Sequence, residues 1–304
     1  MFPQVVKDQE DYRQSLSFFE NLLRKDSDCR LEAEYPLAFN PQQLDHIFVI
    51  NQNGERQAGL VTLEREIEIQ RGQKARALFI GSVVTEQAHR NRGLQRQLFH
   101  AVEEKAEQWG IDFLVLWSSQ LEFYEKLGFQ LAGLQASWIP SFQAPLKPAT
   151  MGVRVEPSDR MQFTEKHFQA FNKKICRVQR TFEEMQQLFR IPKMTVAYTE
   201  NAYALLGKGE DFFQVCHEWA GPADEVLACI DALRRLVPQL RILSPGVLHD
   251  KDEAAVVHAF ETANFENRLE YLGLFKSISS KVQTKGFVPE DLQYPFFIWG
   301  LDSI

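Results

Sequence analysis

The chain has 304 residues, 44% of them apolar and 25% charged, with a formal net charge of −7. That is ordinary globular composition, long enough for two hydrophobic cores, and it excludes a disordered or fibrous chain. The acidic balance argues against a general nucleic-acid binder, because neutralising phosphates needs a basic surface.

From the start, MFPQVVKDQEDY shows no basic stretch followed by an apolar one. No apolar run of about 18 residues follows anywhere, so a soluble cytoplasmic protein with no membrane contact is expected. Tyr12, Leu16, Phe19 and Leu23 recur at helical spacing after Asp8, which predicts a capped amphipathic helix over 8–24. Three antiparallel strands are expected over 46–51, 58–69 and 76–85, with Asn53-Gly54 and Arg71-Gly72 as turns. Leu94, Leu98, Val102 and Trp109 then mark a helix that Gly110 can end in the left-handed conformation. A strand over 112–117, a short helix over 119–127 and a strand from Phe129 close this half.

The segment IPSFQAPLKPATMG, with Pro140, Pro145 and Pro148, reads as an extended linker. It divides the chain into an expected domain at 1–145 and a second at 150–304. Beyond it, helices are expected over 158–171 and 181–190, the latter with a Thr181/Glu184 capping box. A strand pair over 195–207 and 211–219, a helix over 224–236, a strand over 240–243, a helix over 251–263 and a strand over 268–275 complete the order. This repeats the order of the first half at a spacing of about 140 residues and predicts an internal duplication. The aromatic end, YPFFIWGLDSI, is expected to pack.

The chemistry concentrates in SVVTEQAHRNRGLQRQL, residues 82–98, where a strand runs through Arg90, Asn91, Arg92 and Gly93 straight into a helix. Free N–H groups at a helix start, a glycine that allows close approach and two guanidinium groups together form a pyrophosphate cradle. These residues resemble the signature Q/R-x-x-G-x-G/A of the GNAT acetyltransferase superfamily, standing here as Arg90-x-x-Gly93-x-Gln95, with Gln95 in place of the small residue. Downstream, Phe123-Tyr124-Glu125-Lys126-Leu127-Gly128-Phe129 matches the family's F-Y-x-x-x-G-F element.

The resemblance implies a mixed, mostly antiparallel α/β sheet with flanking helices in two lobes, and acetyl-CoA as cofactor. It implies that the main chain of Val83, Val84 and Thr85 lies along the pantetheine arm, and that Arg90, Asn91, Arg92, Gly93, Leu94 and Gln95 hold the pyrophosphate. Tyr124 would be the general acid; a phenol with a pKa near 10 is protonated at neutral pH and can pass its proton to a thiolate. The acceptor would be an amine of a small molecule or peptide, attacking the thioester directly. The alternatives are a coenzyme A-binding or regulatory module without turnover, and a transferase of longer acyl groups.

The general base is left open. Glu64, Glu66 and Glu68 share one strand face that reads as solvated, and Glu86 and Glu122 lie near the proposed site in sequence. Some multi-lobed GNAT members use the chain's own C-terminal carboxylate, which brings in Asp302 and Ile304. His217 is expected in the core, sharing a face with Phe213, Val215 and Trp219. Cys29, Cys176, Cys216 and Cys229 are too scattered for a metal or redox pair, so packed thiols and no metal site are expected. The second lobe offers Gly221-Pro222-Ala223-Asp224-Glu225 and Phe260 to Phe265 where the first has its cradle and its Tyr, and is expected to be silent.

Overall fold

The structure, a computed structural model, describes residues 2–70, 72–140, 146, 152–278 and 295–304. Apart from Ile139, Pro140, Leu146 and Gly152, the proline-bearing linker lies outside the described residues.

The first half runs β1 (Pro3–Val5), α1 (Gln9–Leu23), α2 (Leu31–Glu34), β2 (Ile47–Gln52), β3 (Glu55–Gln70), β4 (Gln73–Thr85), α3 (Leu94–Trp109), β5 (Phe113–Leu116), α4 (Leu121–Glu125) and β6 (Gln130–Ile139). The expected boundaries hold because local chemistry sets them. The Asp8 side chain accepts from the N–H groups of Glu10 and Asp11, Asn53 and Gly54 take φ of 54° and 84° between β2 and β3, and Gly110 ends α3 at φ 68°.

The second half runs β7 (Arg154–Pro157), α5 (Glu165–Asn172), β8 (Arg177–Val178), α6 (Phe182–Leu188), β9 (Thr195–Tyr198), β10 (Tyr203–Lys208), β11 (Asp211–Ala220), α7 (Ala223–Leu236), β12 (Arg241–Pro245), α8 (Lys251–Thr262) and β13 (Glu266–Ser277). Two expectations are corrected here. The helix placed over 158–171 is a 3-10 turn over Ser158–Arg160 followed by a separate α5, because Thr164 and His167 make a capping box that restarts it. The strand placed over 195–207 is two strands: Thr199 N–H donates to Ala202 O and turns the chain back.

All thirteen strands belong to one sheet, in the order β1-β2-β3-β4-β5-β13-β6-β12-β11-β10-β9-β7, with β8 pairing on β3. The order is symmetric about its centre, β2-β3-β4-β5 mirroring β9-β10-β11-β12, and the closing strands are exchanged. β13, from the second half, lies antiparallel to β5 over Leu274–Ser277. β6, from the first half, lies antiparallel to β12 over Gln135–Trp138. β4 and β5 are parallel, which demands a crossover; α3 supplies it and buries Leu94, Leu98, Phe99, Val102 and Ala106 on one sheet face. α1 covers the other face with Tyr12 and Phe19, inside a core that continues into the second half.

Candidate active site

β4 stays paired with β3 as far as Thr85, but pairs with β5 only from Ala77 to Ile80. From Gly81 onward, no strand among the described residues covers that side of β4. Ser82, at φ 51°, sits in a bulge: Val61 faces Gly81 and Gly59 faces Val84, so two residues of β4 oppose Leu60 alone. A bulge re-aims the groups that follow it. Glu86 N–H donates to Gln57 O at 2.9 Å on the β3 side. By the alternation of an extended backbone, Val84 turns the same way, while Val83 and Thr85 turn their amide groups to the open edge. The Thr85 carbonyl accepts from Arg90 Nε at 3.3 Å, and its Oγ1 is buried without a hydrogen-bond partner.

After β4 the chain makes a 3-10 turn over Gln87–His89, passes Asn91 at φ 62° and enters α3 through Gly93 at φ 74°. No side chain caps α3, and among the described residues no protein group accepts from the N–H groups of Asn91 to Arg96. A Cβ built on Gly93 meets nothing within 4 Å. Arg90, Asn91, Arg92 and Gly93 are exposed, Leu94 is buried and anchors the helix, and Gln95 is half-buried. The geometry is an anion cradle with its donors free.

Tyr124 lies on α4, 6% exposed, edge-on to Phe99 at 5.5 Å and Phe129 at 5.8 Å. Gly128 at φ 87° closes the turn, its N–H donating to Glu125 O at 2.9 Å while Phe129 N–H donates to Tyr124 O at 3.0 Å. Burial raises the phenol above its ordinary pKa, with a hydrogen bond to Ser118 pulling the other way. Ser118 follows β5 by two residues, so the hydroxyl stands beside the strand that parts from β4.

The carboxylates divide sharply. Glu64 and Glu66 pair with Arg76 and Lys74, each at 2.7 Å. Glu68 corrects the solvated-face reading, being 7% exposed and bound to Arg177 of the second half at 2.8 Å. Glu86 faces His89 at 3.5 Å, and Glu122 is exposed. Asp302 is buried against Arg180, at 2.6 Å. Ile304 packs over the sheet face at Gly81, where an added Cβ would lie 2.5 Å from its carbonyl carbon.

Sequence reasoning missed the group that holds this segment. Arg180, with no exposed side-chain surface, grips both Asp302 and Glu218. Lys208 is buried too, its ammonium lowered to about 8 chiefly by burial. Arg180 and Asp302 are 122 positions apart, and no local pattern links them. His217 is fully buried, its Nε2 donating to Gly207 O at 2.8 Å, and burial lowers it to about 4. Its ring partner is Phe212 at 4.9 Å; Phe213, expected on the same face, is 81% exposed, because Phe212 and Gln214 take positive φ and break the alternation. All four cysteines are buried free thiols. Asp28, Cys29 and Glu210 come close enough to share a cation, but Lys193 already bonds both carboxylates at 2.6 Å.

The second half carries the same turns without the chemistry. Asn264 at φ 54° stands where Gly128 does, its N–H donating to Glu261 O, and Phe265 N–H donates to Phe260 O at 3.0 Å. Phe260 stacks on Phe265 at 5.2 Å and has no hydroxyl to give. Gly221 cannot accept even a Cβ, which would fall 2.4 Å from the Ala202 side chain, and Glu225 in the first turn of α7 is bound to Thr199 and Asn201. Trp219 Nε1 donates to Leu243 O at 2.9 Å and bridges β11 to β12 beyond their short pairing at Val215–Cys216.

Residues 9–132 match the family model described as an acetyltransferase (GNAT) domain. The first half of the chain is thus similar to GNAT acetyltransferase domains. Solved GNAT-like structures extend the likeness of fold to both halves. Eis1 from Mycobacterium abscessus, 14% identical, aligns over 93% of this chain and 75% of its own with a TM-score of 0.64. A probable N-acyltransferase from Enterococcus faecalis, 10% identical, aligns over 91% and 73% with a TM-score of 0.65. A GCN5-related N-acetyltransferase from Anabaena variabilis, 13% identical, aligns over 91% and 73% with a TM-score of 0.63. No curated protein sequence matches the chain. No helix among the described residues is long and apolar enough to cross a membrane.

Proposed function

We propose that the first lobe, residues 1–145, transfers an acetyl group from acetyl-CoA to an amine of a small molecule or peptide, while the second, 150–304, carries no chemistry of its own. The observation that carries this reading is the run of unpartnered N–H groups from Asn91 to Arg96 around an unobstructed Gly93. Those donors, the N-terminal dipole of α3 and the exposed Arg90 and Arg92 would hold the pyrophosphate. The pantetheine arm would then run along the open edge of β4 as a pseudo-strand, its amides meeting Val83 and Thr85 with Val84 turned away. That path leads the thioester to the parting of β4 and β5, with Tyr124 on its β5 side.

The unprotonated amine attacks the thioester carbonyl directly, the acyl group leaves sulfur for nitrogen, and the proton lost by the nitrogen returns through water to the Tyr124 phenolate left when the thiolate is protonated. Tyr124, kept protonated by burial, donates its proton to the departing thiolate as the C–S bond breaks. The reading is tested by thiol release. Wild type with acetyl-CoA and a panel of amines should release coenzyme A, and Tyr124→Phe should bind coenzyme A as tightly while releasing it far more slowly. Equal release by both proteins would refute the assignment.

A further inference from the structure

The turn that carries Tyr124 is built by the first half of the chain but held by the second. α4 is a helix of 5 residues, too short to keep its shape in water without support. Its end folds into a tight loop in which the Tyr124 carbonyl accepts from Leu127 N–H at 2.9 Å and from Phe129 N–H at 3.0 Å. The Leu127 carbonyl accepts from no main-chain N–H among the described residues, as is usual for the last acceptors of a helix. Lys276 of β13 supplies the missing donor. Its Nζ donates to the Leu127 carbonyl at 2.7 Å and to Glu103 Oε1 of α3, also at 2.7 Å. The stem of the same side chain lies against Gly128: a Cβ built there, at φ 87°, would come within 3.3 Å of Lys276 Cε. The strand beneath is placed to match. Leu274 of β13 pairs with Leu116 of β5 and with Leu131 of β6, the two strands that α4 connects, and shares an apolar cluster with Tyr124, Phe99 and Phe129.

The side chains of Lys276 and Glu103 are 23% and 25% exposed, and an ion pair so open to water adds little to stability. What a cation shared between a carboxylate and a carbonyl does supply is a fixed spacing between them. Here the spacing is between the end of the Tyr124 turn and α3, the helix whose start forms the cradle. We infer that Lys276 is a positioning residue for Tyr124, with Glu103 as its anchor on α3, so that the second half sets the proton donor of the first at its distance from the cofactor helix. The inference rests on the reading of Tyr124 as the general acid. Displacing a reacting group by about 1 Å can cost on the order of 100-fold in rate, so a loosened turn is felt in kcat while the cradle goes on binding.

The test compares Lys276→Met, Lys276→Arg and Glu103→Gln with wild type by acyl-transfer kinetics, coenzyme A titration calorimetry and hydrogen exchange, and also places Lys276→Met in a Tyr124→Phe background. Lys276→Met should lower kcat roughly tenfold, leave coenzyme A affinity within about twofold, and speed exchange of the Leu127 and Phe129 amides. Lys276→Arg should recover most of the rate, and Glu103→Gln, which keeps the lysine but loosens its anchor, should lower kcat about threefold. In the Tyr124→Phe background, Lys276→Met should cost less than about twofold, because its effect passes through a hydroxyl already removed. A full tenfold loss there would overturn the positioning role, as would an unchanged kcat in Lys276→Met or a fall in coenzyme A affinity in step with the rate. If wild type releases no thiol with any amine, the reading of Tyr124 as acid falls, and the hold on its turn is judged on exchange alone: faster exchange of Leu127 and Phe129 in Lys276→Met upholds it, and unchanged protection refutes it.

Discussion

The two lobes share a backbone plan and differ in what surrounds it. Gly93 and Gly221 lie between strand and crossover helix, after β4 and after β11, yet a side chain on the first would meet open space and on the second would collide with Ala202. Tyr124 and Phe260 begin the same turn, closed by Gly128 in one lobe and Asn264 in the other, both in the left-handed conformation. The strands that part beside Tyr124 are bridged in the second lobe by the Trp219 indole. The difference within this duplicated fold is one of vacancy: among the described residues the first lobe leaves donors and an edge unfilled, and the second satisfies them internally.

The comparison can be broken most forcefully at the cradle. Gly93→Asp, which the left-handed conformation tolerates, places a carboxylate beside the proposed pyrophosphate, where like charges about 4 Å apart cost on the order of 4 kcal/mol at an effective dielectric of 20. Coenzyme A affinity should fall roughly 1,000-fold by calorimetry, with the thermal transition little changed. Next in size, Tyr124→Phe should lower kcat roughly 100-fold, about 2.7 kcal/mol, as expected for loss of a general acid. Because Tyr124 is raised above its ordinary value, the wild-type rate should show no alkaline loss from this group below about pH 10.

The second lobe should respond in stability instead. Gly221→Ala, at φ 131° and against Ala202, should cost about 2 kcal/mol in chemical denaturation and leave coenzyme A affinity unchanged. Phe260→Tyr would bury a hydroxyl in the stack with Phe265 and Trp138, costing roughly 1–3 kcal/mol and adding no activity. The smallest effect sharpens rather than breaks the contrast: Gln95→Ala, restoring a small residue at the helix start, should tighten coenzyme A binding about twofold to threefold, or roughly 0.5 kcal/mol.

What the sequence disclosed was governed by range. Caps, turns and the cradle are local, so Asp8, Asn53-Gly54, Thr181 with Glu184, Gly93 and the Tyr124 turn could be read from neighbours along the chain. Bulges were illegible, since nothing in Phe212 or Gln214 announces a positive φ, and Phe213 consequently faces solvent. The exchange of β6 and β13 was equally hidden: alternation marks a strand but does not name its partner. So was the buried Arg180–Asp302–Glu218 group, whose members are ordinary surface residue types until the fold removes them from water. Duplication was visible as element order, and a division of labour was expected from the residues at the two helix starts; which glycine has a neighbour could be seen only in the fold.

The exchanged strands also set a timetable for the molecule's birth. β5 finds its outer neighbour only in Leu274–Ser277, near the far end of the chain, so a ribosome that has emitted the whole first lobe still presents an unfinished sheet with a bare margin. Such contacts close late and slowly, and premature release or an isolated first half would offer that margin to other chains. The margin of β5 is therefore covered only once the second half has been made.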